Sequence, residues 1–292
     1  MLDLQRVGVV GCGLMGSGIA EVFARAGLDV TVREIDVAAA ERGRARIESS
    51  LQRAIRSGKI DDQTVAATLL RINYTSDLAD LADRQLVVEA IAEDEAVKVD
   101  MFRALDSVLT DRDAILASNT SSIPIMKLGI ATSRPENVIG IHFFNPVPVL
   151  NLVEVVPSLL TSPSTIAAAE ALGRDVLGKN VIRSQDRAGF IVNALLIPYL
   201  LSAIRMMESG FASVDDIDKG MVNGCGHPMG PLRLTDLIGL DTTMAVAESL
   251  YAEFKEPLHA PPPLLARMVD AGLLGRKSGR GFYDYNVASD RS

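Results

Sequence analysis

A chain of 292 residues, 48% hydrophobic and 23% charged, has room for one or two ordinary globular domains with a sizeable core. Its net charge of −8 argues against nucleic acid or an anionic membrane as partner, but not against a small anion held by a local basic patch. Two distant cysteines, Cys12 and Cys225, and no recognisable signal peptide point to reduced thiols in the cytoplasm. No His/Cys/Asp cluster has metal-ligand spacing, so no metal is expected.

The first element is an apolar β-type run, Val7 to Val10, feeding into Gly11-Cys12-Gly13-Leu14-Met15-Gly16 and then a stretch with helical spacing from Ser17 to Ala24. Five glycines between Val7 and Phe23 argue against a membrane span. A second β-type stretch, Leu28 to Arg33, ends at Glu34. Strand, glycine turn, helix and a downstream acid in this order form the dinucleotide-binding pattern. Gly11 permits the tight turn, Gly13 admits a pyrophosphate against the backbone, and Gly16 allows close helix–strand packing. Leu14 and Met15 lie in the same loop, and the helix N-terminus offers free N–H donors to phosphate. Glu34 can accept hydrogen bonds from the adenosine ribose and would repel a 2′-phosphate. That favours NAD, although Arg33 beside it leaves NADP open. The bland alternative is a purely structural strand–turn–helix.

Residues 36 to 70 read as a helical hairpin inserted between strands. A long polar helix runs to Ile55, Gly58 breaks it, and Asp61 or Asp62 caps a second helix through Leu70. Arg42, Arg44, Arg46, Arg53 and Arg56 on the first helix form either a solvated face or a docking surface for a phosphorylated substrate. Strands then return at Leu86–Ala90, Ala114–Asn119, Asn137–Phe144, Leu152–Val156 and Val181–Ile182, with helices through Leu105 and from Ile166 to Leu177. The alternation predicts an α/β, Rossmann-type, doubly wound and mostly parallel sheet over residues 1–187.

Residues 188–292 read as a second, all-helical domain. Helices are expected from Gly189 to Glu208 with a kink at Pro198, after a capping pair Ser213/Asp216, from Leu232 to Phe254 and from Leu264 to Ala271. A glycine-rich loop spans Gly224 to Pro231. These helices are more apolar than their length requires, which suggests burial between subunits.

Ligands of open α/β sheets bind beyond the carboxyl ends of the strands, where Glu93, Asn119, Ser121, His142 and Asn145 fall. Of the three histidines, His259 in a proline-rich loop is expected to be exposed and His227 to be structural. His142, ending an apolar strand, is the best acid–base candidate; on its own it could equally be a core or capping histidine. Glu154 lies within the run Leu152–Val156, where a carboxylate is expensive unless paired. Bonded to one imidazole nitrogen, it would fix the tautomer and leave the other as a base. Alternatively it faces solvent on an edge strand.

Together the segments GCGLMGSGIA, VVEAIAEDEAVK, ASNTSSIPI, GIHFFNPVPVLNLVEVV, GFIVNALLIPYL, HPMGPLRLTDLIGLD and GRKSGRGFYDY closely resemble the L-3-hydroxyacyl-CoA dehydrogenase family, in particular its bacterial 3-hydroxybutyryl-CoA branch, over essentially the whole chain. The resemblance implies NAD-dependent interconversion of an (S)-3-hydroxyacyl-CoA and the 3-oxoacyl-CoA. His142 would be the general base and Glu154 its orienting partner, with Ser121 and Asn193 bonding near the reacting oxygen. Glu93, Lys98, Asn119, Asn145 and Lys277 match cofactor-lining positions, with Ser121 also at the cofactor and substrate. The hairpin matches the element that contacts CoA, which gives weight to Ser50 and the arginines near it. The start of the helical domain at Asn193 implies a site in the cleft between domains, and the family's C-terminal domains pair into a homodimer. Ala188 stands where the family often has proline, a change that touches only the interdomain link. Competing readings are a dehydrogenase of free 3-hydroxy acids and a non-enzymatic dinucleotide sensor.

Overall fold

Eight strands form one sheet in the computed structural model, which describes residues 4–286. In chain order the first unit, Met1–Arg187, contains β1 (Arg6–Val10), α1 (Leu14–Arg25), β2 (Asp29–Arg33), α2 (Val37–Arg56), α3 (Asp62–Leu69), β3 (Ile72–Thr75), β4 (Leu86–Glu89), α4 (Glu95–Val108), β5 (Ile115–Ser118), α5 (Ile125–Gly129), β6 (Val138–Phe143), β7 (Leu152–Pro157), α6 (Pro163–Ala171) and β8 (Asn180–Arg183). The spatial order is β3-β2-β1-β4-β5-β6-β7-β8. Every pairing is parallel except β6 with β7. The connection from β6 to β7 is too short for a helical crossover, so the chain must fold straight back.

The hairpin between β2 and β3 follows its capping chemistry. Asp36 accepts from Ala39 N at 2.7 Å and Asp61 from Thr64 N at 2.8 Å, while Gly58 turns the chain at φ +69°. It is Asp61, not Asp62, that caps. The core lies between the sheet and its helices. Val7, Val9, Val30, Val32, Val88 and Ile141 are fully or almost fully buried against Ile19 and Phe23 of α1, and the Phe23 and Phe143 rings meet edge-on at 6.2 Å. Each such side chain contributes about 2 kcal/mol through burial. β3 is not evident in the sequence, because four residues alternating apolar and polar give a weak signal.

The second unit, Ala188–Ser292, contains α7 (Val192–Glu208), α8 (Val214–Cys225), α9 (Pro231–Ile238), α10 (Leu240–Phe254) and α11 (Pro263–Asp270) around its own apolar core. The expected single helix from Leu232 to Phe254 is two, because Gly239 at φ +105° breaks it. Two isolated β-bridges, Gly275–Arg280 and Arg280–Asp284, shape the segment after α11. Asp236 fastens that segment by accepting from Phe282 N and Tyr283 N, both at 2.9 Å. Asp218 caps α9 through Leu232 N at 2.8 Å and Arg233 N at 2.9 Å.

Candidate active site

The parallel strands β1, β4, β5 and β6 end at one edge of the sheet, and the polar residues read from the sequence gather there. Gly11, at φ +90°, makes the turn into α1. A Cβ on Gly16 would lie 1.8 Å from Gly11 O, whereas one on Gly13 would meet nothing within 4 Å. The first contact explains the tight strand–helix join. The second is an open cradle next to the backbone, of the kind a pyrophosphate fills. Gly13 is the N-cap of α1 with no side-chain cap, so the first-turn N–H groups, beginning with exposed Leu14 and half-buried Met15, lack a capping oxygen. Glu34, just past β2, bonds Cys12 N and, at 3.1 Å, Ile35 N. It thus ties the glycine loop to the end of β2. These features fit a bound dinucleotide.

A second cluster joins β4, β5 and α4. Lys98, buried, reaches Glu89 Oε1 at 2.6 Å and Glu93 Oε2 at 3.1 Å. Glu89 also accepts from Ser118 Oγ at 2.6 Å and Ile91 N at 2.7 Å. Glu93 accepts from Thr120 Oγ1, from Ser121 N at 3.0 Å and from Ser122 Oγ at 2.9 Å. Burial alone would raise the Glu93 carboxyl, but the Lys98 charge and these hydroxyl bonds outweigh it and hold it below the ordinary glutamate range. Asn119 Oδ1 accepts from Phe143 N at 2.9 Å, locking β5 to β6. Glu89 is the member the sequence reading missed. It ends an apolar strand run as His142 does, and that position was its signal.

His142 and Glu154 occupy directly opposed positions of the antiparallel pair β6/β7. Their side chains therefore share one face of the sheet. His142 Nδ1 lies 2.7 Å from Glu154 Oε2, with Glu154 fully buried and His142 nearly so. Glu154 is not on an edge, because β8 covers β7 on its far side. Phe144 packs against the imidazole with centroids 4.6 Å apart.

Ser50 on α2 and Asn145 after β6 line a cavity of about 440 Å³ together with Ser17, Arg42, Arg46 and Arg53. The arginine face is therefore partly a cavity wall. In the helical unit, Asn193 is half-buried at the second position of α7, and Lys277 donates to Asp241 at 2.6 Å. His227 contacts Tyr199 OH at 3.2 Å. His259 overturns its expectation: it is buried, 5.2 Å from the Phe254 ring, because the proline-rich loop folds back over α10. Among the described residues there is no group of acidic, Cys or His side chains arranged to hold a metal, and no helix long and apolar enough to cross a membrane.

A dinucleotide-binding Rossmann unit carrying a buried His–carboxylate pair, followed by a helical unit, defines the class as that of two-domain NAD-dependent dehydrogenases. Residues 6–187 match the family model described as 3-hydroxyacyl-CoA dehydrogenase, NAD binding domain, and residues 189–285 match 3-hydroxyacyl-CoA dehydrogenase, C-terminal domain. The chain belongs to the 3-hydroxyacyl-CoA dehydrogenase family. It is 60% identical over 282 residues to the 3-hydroxybutyryl-CoA dehydrogenase of Mycobacterium tuberculosis (strain H37Rv), covering 97% of this chain and 99% of that one. The crystal structure of M. tuberculosis FadB2 superposes with a TM-score of 0.96 at 60% identity, covering 97% of this chain and 99% of the other. That of (S)-3-hydroxybutyryl-CoA dehydrogenase PaaH1 from Ralstonia eutropha gives a TM-score of 0.91 at 45% identity, covering 97% and 100%.

Proposed function

We propose that this protein interconverts (S)-3-hydroxybutyryl-CoA and acetoacetyl-CoA with NAD. The observation that carries this reading is the buried His142–Glu154 pair. In the oxidative direction His142 takes the 3-hydroxyl proton at Nε2. Glu154, held at Nδ1, fixes the tautomer and stabilises the imidazolium that forms. In reduction the same nitrogen returns the proton. Bound NAD supplies the hydride acceptor. The residues that would hold it are Gly11, Gly13, Leu14, Met15 and Gly16 in the loop, Glu34 at the ribose, and Glu93, Lys98, Asn119, Ser121 and Asn145 along the strand ends, with Lys277 from the helical unit. Ser121 and Asn193 donate near the substrate oxygen and stabilise its developing charge. The arginine-lined cavity beside Ser50 supports a CoA thioester over a free acid.

The helical unit exposes Leu195, Met206, Phe211 and Leu258, apolar surface that supports a homodimer built through this unit. Two cysteines that are not paired with each other, Cys12 buried and Cys225 exposed, support a cytoplasmic location.

The test is NADH oxidation with acetoacetyl-CoA. The wild type turns over. NADPH is used at least about 10-fold less efficiently, because Glu34 opposes a 2′-phosphate. Acetoacetate is a poor substrate. His142→Gln loses about 10²–10⁴-fold in kcat while still binding NADH. Full turnover by His142→Gln would remove the assigned base, and equal use of acetoacetate would move the reading to free 3-hydroxy acids.

A further inference from the structure

Glu21 takes no part in the chemistry proposed above, yet among the described residues its carboxylate is the one with a buried oxygen that lacks a hydrogen-bond partner. It sits in α1 among Ile19, Ala20, Val22 and Phe23, which build the core, and its side chain is 1% exposed. Oε1 has a long contact to Arg25 at 3.5 Å, the Ser50 hydroxyl lies beside the carboxyl, and Oε2 has no hydrogen-bond partner. Burial pushes its pKa above the ordinary glutamate value, against the opposing pull of Ser50, Arg25 and Arg53. An unsatisfied buried carboxylate oxygen works against folding. Nothing in the packing of α1 calls for it, since an apolar side chain would serve that interior face. Glu21 lines the same cavity of about 440 Å³ that Ser50, Arg42, Arg46 and Arg53 line from α2 and that Asn145 closes from the β6 side. The cavity therefore offers two kinds of recognition: several guanidinium groups for anionic oxygens and, at Glu21, a carboxylate with one oxygen that no protein group bonds.

We infer that Glu21 is a specificity-determining residue of this cavity, accepting a hydrogen bond through Oε2 from an uncharged N–H or O–H group on the CoA portion of the substrate. The inference rests on the proposal that the substrate is a CoA thioester, and it adds the acceptor that the arginines cannot provide. The donor can come from two sources. Beyond the cysteamine amide that N-acetylcysteamine also carries, the pantetheine arm offers a second amide N–H and a hydroxyl, and the nucleoside end carries an amine and a hydroxyl. In both cases the gain is made on binding and not at the reacting carbon, so it appears in KM and leaves kcat alone.

The experiment compares three acetoacetyl thioesters, of CoA, of pantetheine and of N-acetylcysteamine, in wild type, Glu21→Ala and Glu21→Gln. In Glu21→Ala, KM for the CoA thioester rises by about 10-fold or more, kcat stays within about two-fold, and the N-acetylcysteamine thioester is unaffected. Glu21→Gln keeps a carbonyl oxygen and restores most of the loss. A penalty that persists with the pantetheine thioester places the donor on the arm, and one confined to CoA places it at the nucleoside end; both support the inference. An unchanged KM for the CoA thioester in Glu21→Ala, or an equal loss with all three thioesters, overturns it. Should Glu21→Ala fail to fold, Glu21→Met fills the same space without an acceptor and is read the same way. Wild-type enzyme that does not distinguish the CoA from the N-acetylcysteamine thioester overturns the CoA reading itself and this inference with it. That failure shows before any variant is made, so the two are told apart.

Discussion

His142 and Glu154 face each other across the one antiparallel pairing of the sheet, and their 2.7 Å contact is fixed by register alone. A one-residue slip of β7 would turn Glu154 to the opposite face and break the pair. The register is secured by buried neighbours on both strands, Ile141 opposite Val155 and Phe143 opposite Val153. The orientation of the base is thus set by the backbone of two interior strands and not by a mobile loop.

Glu154→Gln keeps the size and one acceptor oxygen but removes the charge that stabilises the imidazolium. Its kcat falls by about 10²–10³-fold, less than or comparable with His142→Gln, while NADH affinity is preserved. Steady-state kinetics with a fluorescence titration of NADH check this. Wild-type turnover in Glu154→Gln would show that the pair is only structural.

Two glycines of the loop separate folding from cofactor binding. Gly16→Ala drives a methyl group into Gly11 O, so the variant is strongly destabilised or insoluble. Gly13→Ala meets no protein atom, so its thermal midpoint stays close to that of the wild type. Its NADH dissociation constant rises by about 10-fold or more, because the methyl group occupies the pyrophosphate cradle. Melting curves and NADH titrations of both variants give the answer, and tight NADH binding by Gly13→Ala would misplace the cradle.

Lys98 is ion-paired with two carboxylates at once. Lys98→Met leaves Glu89 buried and without its counter-charge and costs about 3–5 kcal/mol in urea unfolding. Glu93 has a depressed pKa, so its stabilising contribution is present above the unfolded glutamate value and is lost as pH falls through the lower native one. Acid unfolding of Lys98→Met therefore begins at higher pH than that of the wild type. An unshifted acid transition would mean that Lys98 does not hold Glu93 down.

Much of this was legible in the chain because local chemistry decided it. The glycine turn needs Gly11 whatever surrounds it, Asp36 and Asp61 announce the hairpin helices, and His142 ends an apolar run at a sheet edge. What escaped depends on distant contacts. Glu89 reads as one more residue near the end of a strand until Lys98, nine positions on, and Ser118, on the next strand, reach it. His259 reads as exposed because its proline-rich neighbours resemble a surface loop, whereas Phe254 and the backbone carbonyls held by Arg205 draw it inward. The break at Gly239 is hidden because apolar spacing continues from α9 into α10, and only the positive φ of Gly239 separates them. The orphaned oxygen of Glu21 is invisible in sequence altogether, since an acid within a helix normally faces water.

The orphan leads to a stability prediction independent of activity. Because burial raises the pKa of Glu21, the native state binds this proton more tightly than the unfolded chain does. Its favourable contribution is complete below the unfolded value of about pH 4.3 and is lost as pH rises through the higher native value. At neutral pH the folded protein therefore carries a buried charge it would be more stable without. Glu21→Gln removes the charge, so the ligand-free variant melts higher than the wild type at about pH 7, and the difference is smaller at a second, more acidic pH, because the native carboxyl regains its proton before the unfolded one does. Calorimetry at the two pH values measures it. A variant that melts lower at both would mean that the carboxylate is satisfied in solution and serves the fold.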